Sequence, residues 1–210
     1  MRQNGLEYNF RSMNENLSTN KAVEQPQSKK GVSFFMEILK FAIIASVIVV
    51  PLRLYIAQPF VVSGASMDPT FETGEYLIVD QLSYHFEAPK RESVIVFRYP
   101  NDKTKFFIKR IIGLPGETVE MHGTQVTIKN VENPKGILLH EKYVSVKNEK
   151  TDNFSITLGN DEYFVMGDNR NGSSDSRIWG PVKMSLIMGR PIVRLLPLSR
   201  ISFFPGNAHE

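Results

Sequence analysis

The stretch from residue 32 to residue 62, VSFFMEILKFAIIASVIVVPLRLYIAQPFVV, limits what this chain can fold into more than any other part of it. It is apolar apart from Glu37, Lys40 and Arg53, and residues 41–52 carry no charge. A membrane span needs about 20 mostly apolar residues, so the uncharged run is short by itself. Lysine and arginine near helix ends, however, keep their stems in the apolar layer and lift their charges to the interface. A helix over 35–57 therefore suffices to cross, with Glu37 and Lys40 paired at i,i+3 and Pro51 kinking it near its end. Two other readings stay open. The uncharged run has the length of a cleavable signal sequence's apolar region, and Ser63-Gly64-Ala65 has the small-x-small form of a cleavage site. A helix buried in a soluble protein is the third. A polar leader of 30 residues is long for a secretory signal, and the apolar character continues past residue 52, so a retained anchor is the expectation.

Charge supports a division at this segment. Residues 60–210 hold 18 Lys plus Arg and 18 Asp plus Glu, so the whole formal net charge of +3 falls on residues 1–59. The pI near 9.0 reports a basic tail rather than a nucleic-acid partner. That tail, 1–30, is polar and poor in large apolar side chains, a composition that favours disorder. Lys29, Lys30 and Lys40 precede the apolar core and Arg53 is the lone basic residue close behind it. The positive-inside tendency then puts the tail in the cytoplasm and the residues beyond the apolar run on the outer face.

Beyond residue 58 the chain reads as β structure. EYLIVDQL (75–82), SVIVFRY (93–99), KFFIKRIIG (105–113), TVEMHG (118–123), QVTIKN (125–130), EYFVMGD (162–168) and PIVRLL (191–196) are rich in β-branched and aromatic residues. Each ends near a turn former. No helical period of comparable strength appears, which predicts an all-β domain over 58–205 made of several small antiparallel sheets. Residues 131–160 read as a loop-rich insertion and 206–210 as a tail. RLLPLSRISFFP (194–205) fits a lipid-touching stretch or a final strand equally.

With no cysteine in 210 residues, thiol chemistry, disulfides and zinc thiolate sites are excluded. Ser66, in a glycine-containing turn directly behind the apolar run, is a candidate nucleophile that needs a base. None of the four histidines, His85, His122, His140 and His209, sits in a triad context. A lysine can serve if burial brings its pKa from about 10.4 toward 7 or 8, a shift worth about 4 kcal/mol. Lys109 meets that demand best. Period-two alternation in FFIKRII puts Phe107, Lys109 and Ile111 on one face and Phe106, Ile108, Arg110 and Ile112 on the other. Taken alone, a lysine in a strand is more often solvent-facing, and a serine in a glycine turn is commonplace. A third segment, GDNRNGSSDSRIWG (167–180), combines turn formers with Asp168, Asp175, Arg170 and Arg177, whose ion pairs would lock a loop.

Together, SGASMDPT (63–70), FIKRIIGLPGETVE (107–120) and GDNRNGSSDSRIWGPV (167–182), in this order behind an apolar run, resemble the type I signal peptidases. These are Ser-Lys membrane proteases that remove signal peptides from exported preproteins. The resemblance covers about residues 35–200. It implies Ser66 as nucleophile, Lys109 as general base and Ser173 as the hydroxyl that orients the lysine amine. It gives Arg110, Gly167, Asp168, Asp175 and Arg177 supporting roles, and implies neither metal nor cofactor. Gly64 stands where some members carry an oxyanion-binding serine, so the oxyanion site is expected to use the Ser66 N–H with a main-chain donor at Gly64 or a water. The implied substrates are extended segments with small side chains near the scissile bond, and Phe60, Val61 and Val62 are candidate lining residues. The implied partners are preproteins and the lipid bilayer. Another Ser-Lys processing or self-cleaving protease of the same fold, and an inactive anchored peptide-binding domain, stay open as alternatives.

Overall fold

The structure, a computed structural model, describes residues 30–51, 57–144 and 151–207, with side chains described over 34–50, 58–144 and 151–207. The expected tail up to residue 29, the last residues of the expected anchor and most of the C-terminal tail lie outside the described residues. The chain divides into two compact units, Met1–Ser46 and Val47–Glu210.

Helix α1 spans Lys30–Pro51. No glycine or proline interrupts residues 32–50, so nothing in that run breaks a helix. Every described side chain of α1, from residue 34 to residue 50, is exposed, including Phe34, Phe41 and Ile48. Among the described residues no helix is long and apolar enough to cross a membrane.

The expected helix end at 57 is replaced by a strand. Here β1 (Ala57–Val61) pairs with β2 (Tyr76–Asp80), Phe60 opposite Leu77. The aromatic and β-branched residues that read as a continuation of the apolar run are also good strand formers, and β2 gives them a partner.

The remaining strands are β3 (Val94–Tyr99), β4 (Asp102–Gly113), β5 (Thr118–Gly123), β6 (Gln125–Lys129), β7 (Ile137–Leu138), β8 (Asp152–Thr157), β9 (Glu162–Met166), β10 (Val182–Lys183), β11 (Ile187–Leu196) and β12 (Ser202–Phe203). A short helix, α2 (Ser176–Trp179), interrupts them. The larger sheet runs β1-β2-β11-β3-β4-β9-β10, with β12 on β11, and the smaller runs β7-β6-β5-β8. Every pairing among the described residues is antiparallel. The described part of 131–160 holds more order than a loop-rich insertion: β8 pairs with β5 along its whole length and β7 pairs with β6. Local composition misses β8 because its polar residues alternate with Phe154 and Ile156, which gain burial only against the distant core.

Strand β4 is the pivot. Its faces alternate as the sequence predicts, and both are covered. Ile111 joins Ile95, Phe97, Tyr163, Val165 and Val182 on one side, while Ile112 joins Val119, Met121, Ile128, Phe164 and Met166 on the other. A third cluster of Val62, Met67, Phe71, Leu77 and Val94, with Ile108 against it, underlies residues 63–75.

Strand β11 pairs with both β2 and β3, with register shifts on each side. At Gly189 its backbone presses against β2: an added Cβ would overlap the Asp80 carbonyl oxygen and touch Val79. Backbone cannot yield as a flexible side chain can. Gly189→Ala is therefore expected to destabilise the protein by about 2–3 kcal/mol, read from urea unfolding. A loss below about 0.5 kcal/mol would show that the two strands separate without penalty.

Candidate active site

The turn that carries Ser66 is fastened from beneath. Met67 and Phe71 are fully buried in the third cluster, and the Phe71 N–H donates to the Met67 carbonyl at 3.0 Å. Ser66, between this anchor and the exposed Gly64 and Ala65, is left half-buried. Gly64 has φ +97, a conformation that favours glycine. Its N–H donates to Thr73 Oγ1 at 3.1 Å, so the expected main-chain oxyanion donor at this position is already engaged. The Ser66 N–H makes no hydrogen bond among the described residues.

Lys109 reaches this turn from β4, which lies beyond β11 and β3 in the sheet order from β1 and β2. Its Nζ lies 2.7 Å from Ser66 Oγ and donates to the Ile108 carbonyl at 2.9 Å. The residue is 4% exposed, and the Phe107 ring lies 5.4 Å from Nζ. Burial lowers its pKa from 10.5 to about 8, against a smaller opposing pull from the Asp175 and Asp168 carboxylates. A buried amine is half neutral at that pH, because desolvation penalises the ammonium.

Both carboxylates are committed to arginines. Arg110, on the opposite face of β4, holds Asp168 through Nε to Oδ1 at 2.9 Å and Nη2 to Oδ2 at 2.7 Å, with both side chains almost fully buried. Its Nη1 donates to the Glu92 and Gly206 carbonyls, and the Tyr143 ring covers its guanidinium at 4.0 Å. Asp175 caps α2 and accepts from Arg177 Nε and Nη2, each at 2.8 Å, and from the Gly167 N–H at 3.0 Å. Burial alone would raise the Asp175 carboxyl, but the Arg177 hydrogen bonds and charge outweigh it and hold the pKa below the usual carboxylate value. Arg170 does not pair within the loop as expected; its partner is Glu141, in the segment expected to be an insertion. A second arginine reaches that segment too, Arg177 to Asp152 at 2.9 Å.

Ser173 lies beside the Ser66 backbone but is not hydrogen-bonded to Lys109. Lys109 Nζ bonds to Ser66 and to its own strand's Ile108 carbonyl, which supplies the acceptor that fixes the amine. Ser173 Oγ is buried beside Asp175, whose charge it helps hold, and makes no hydrogen bond of full geometry. Gly167 is glycine because of this crowding: a Cβ there would overlap both the Ser66 carbonyl oxygen and Ser173 Oγ.

Asn169 is the residue that sequence reasoning undervalues. Its type and neighbours mark only a turn former, yet its N–H donates to the Ser66 carbonyl at 3.1 Å and its Nδ2 to the Ala65 carbonyl at 3.0 Å. Thr70 is missed in the same way; its Oγ1 donates to Asp168 at 2.6 Å, and its carbonyl accepts from Arg194 Nη2 at 2.7 Å. Only tertiary contact reveals either.

A groove of about 500 Å³ opens onto Ser66 and Lys109, lined by Phe60, Val61, Val62, Ser63, Gly64 and Ala65 on one side and by Lys105, Phe106, Phe107 and Ile108 on the other. Phe60 and Phe106 meet edge to face across it, with ring centroids 5.4 Å apart. His85, His122 and His140 are exposed and none bonds to Ser66, while His209 lies outside the described residues. No group of three or more metal-ligating side chains occurs among the described residues. Chemically, this is a serine hydroxyl against a desolvated amine at the floor of an apolar groove, the arrangement required to make an alkoxide without histidine.

Sequence comparison places the chain among known proteins. Residues 35–196 match the family described as signal peptidase, peptidase S26. Signal peptidase I of Leptolyngbya laminosa is 37% identical over 189 residues, 86% of this chain and 87% of that protein. The probable signal peptidase I-2 of Synechocystis sp. is 31% identical over 206 residues, 94% of this chain and 89% of its own. Signal peptidase I V of Bacillus subtilis is 34% identical over 161 residues, 71% of this chain and 95% of its own. On the extent of these matches, this chain belongs to the peptidase S26 family of signal peptidases.

Proposed function

We propose that this protein is a membrane-anchored serine endopeptidase that removes N-terminal signal peptides from exported preproteins, with Ser66 as nucleophile and Lys109 as general base. The observation that carries the reading is the 2.7 Å approach of Lys109 Nζ to Ser66 Oγ at the floor of an apolar groove. When Lys109 is neutral, its lone pair accepts the Ser66 proton as Oγ attacks the scissile carbonyl. The resulting ammonium returns a proton to the leaving amine, and an acyl-enzyme remains. Neutral Lys109 then takes a proton from water, whose oxygen attacks the ester and frees Ser66. The Ile108 carbonyl, rather than Ser173, orients the amine, and Ser173 supports Asp175.

An extended peptide fits between the 60–64 and 105–109 segments, with Phe60, Val61 and Val62 along one wall. The Phe60 and Phe106 rings leave room for small side chains. For the anchor, the support is the uncharged run 41–52 and the exposed apolar side chains all round α1, since a helix apolar on every face needs an apolar surrounding. The basic residues ahead of the run favour a cytoplasmic tail 1–30 and an outer-face domain 58–205, with the anchor of 35–57 giving up Ala57 to β1.

Ser66→Ala and Lys109→Ala should each reduce preprotein cleavage by at least about 10³-fold with the unfolding midpoint little changed; near-normal turnover by either removes the dyad. Only the neutral amine is active, so kcat/KM should rise tenfold per pH unit below about pH 8, the Lys109 value, and level off above it. A profile flat from pH 6 to 9 would exclude a lysine base.

The same burial weakens the fold. With the folded pKa near 8 below the unfolded 10.5, the unfolded chain binds more protons between these values, so stability rises with pH across that window. At pH 7 the buried ammonium is a liability of about 3 kcal/mol at most. Lys109→Met should therefore raise stability at pH 7 by about 1–3 kcal/mol, with the gain shrinking from pH 8 to 10.5 in chemical unfolding. A destabilised Lys109→Met would show that the amine is well solvated.

A further inference from the structure

The two peptide groups that flank Ser66 are both held by one residue. Asn169 donates from Nδ2 to the Ala65 carbonyl at 3.0 Å and from its backbone N–H to the Ser66 carbonyl at 3.1 Å. Its Oδ1 accepts from the Gly172 N–H at 3.1 Å, which fixes the side-chain amide the right way round. A trans peptide is planar, with C=O and N–H pointing in opposite directions. Holding the Ala65 carbonyl therefore fixes where the Ser66 N–H points. That N–H has no acceptor among the described residues, while the neighbouring Gly64 N–H is engaged by Thr73. The Ser66 N–H is thus an uncommitted main-chain donor beside the nucleophile, and Asn169 fixes its direction together with the Asp68 N–H, which also donates to the Ala65 carbonyl, at 3.3 Å.

We propose that Asn169 is a positioning residue that aims the Ser66 N–H at the oxyanion formed during acyl transfer. The proposal rests on the reading of Ser66 as nucleophile. Asn169 follows Asp168 directly, and Asp168 is clamped by Arg110 and by Thr70 Oγ1. The donor's direction is thereby referenced to β4, the strand that carries the base. A donor built into the fold does not have to reorganise as charge develops, and removal of one such donor reduces turnover by about 10²- to 10³-fold in other enzymes. Misaiming it costs less than removing it.

Two variants of the full-length protein test this. Asn169→Asp is isosteric and keeps the acceptor for the Gly172 N–H; Asn169→Ala separates the lost hydrogen bond from the added charge. Each is assayed on a preprotein beside Ser66→Ala, with folding followed by thermal denaturation. Both should lower kcat by about 10- to 100-fold with KM within about twofold. The affinity for a peptide aldehyde ending in alanine, which forms a tetrahedral adduct with Ser66, should fall by the same factor as kcat/KM. In Asn169→Ala the acid limb of the pH profile should stay near pH 8, because no Lys109 contact is altered, whereas the carboxylate added in Asn169→Asp favours the ammonium and should move the limb up. A kcat within twofold of wild type in either folded variant overturns the proposal, as does a loss carried by KM or, in Asn169→Ala, by a displaced acid limb. If Ser66→Ala still cleaves, the nucleophile reading itself falls. If Ser66→Ala is inactive while the Asn169 variants run at full rate, only the role of Asn169 falls.

Discussion

Arg110 and Asp168 form two parallel hydrogen bonds where neither side chain meets water, and the site is assembled around that pair. Desolvating two charges is expensive, and the pair holds only because every donor of the guanidinium that the geometry reaches finds an acceptor. Glu92, Gly206 and the Tyr143 ring complete its surroundings. Asp168 in turn begins the loop that reaches back to the nucleophile through Asn169 and Thr70. Adjacent residues of one strand thus take opposite parts. Arg110 is buried with its charge matched, and Lys109 is buried with no carboxylate bonded to it.

This contrast explains how a lysine is made basic at moderate pH. Two acids, Asp175 and Asp168, stand near enough to favour the ammonium, but burial is the larger effect and decides the outcome; each acid is bonded to an arginine, Arg177 or Arg110, and neither to the amine. The acids and arginines of the 167–177 loop therefore matter to the chemistry without taking part in it. They fix the loop and seat Gly167 against Ser66 and Ser173.

Much of this is legible in the sequence because strands report their faces locally. The alternation in FFIKRII places Lys109 and Arg110 on opposite sides, and both faces of β4 prove to be core. The three motif segments contain the residues that converge. What escapes local reading depends on partners distant in sequence. Strand β1 escapes local reading because its apolar residues continue the run that precedes it, and only pairing with β2 marks them as a strand. Strand β8 is hidden by its polar half. The Ile108 carbonyl bonded to Lys109, the engaged Gly64 N–H and the Asn169 clamp each involve a backbone group, whose partner local sequence does not reveal.

The central claim is that the Lys109 amine is neutral in a useful fraction of molecules near neutral pH because it is buried. Its direct test is a titration of the Lys109 side-chain carbon next to Nζ by NMR in lysine-labelled protein, the signal being assigned by its loss in Lys109→Met. A midpoint near pH 8 is expected. A midpoint at 10.5, the value of an unperturbed lysine, would contradict the claim.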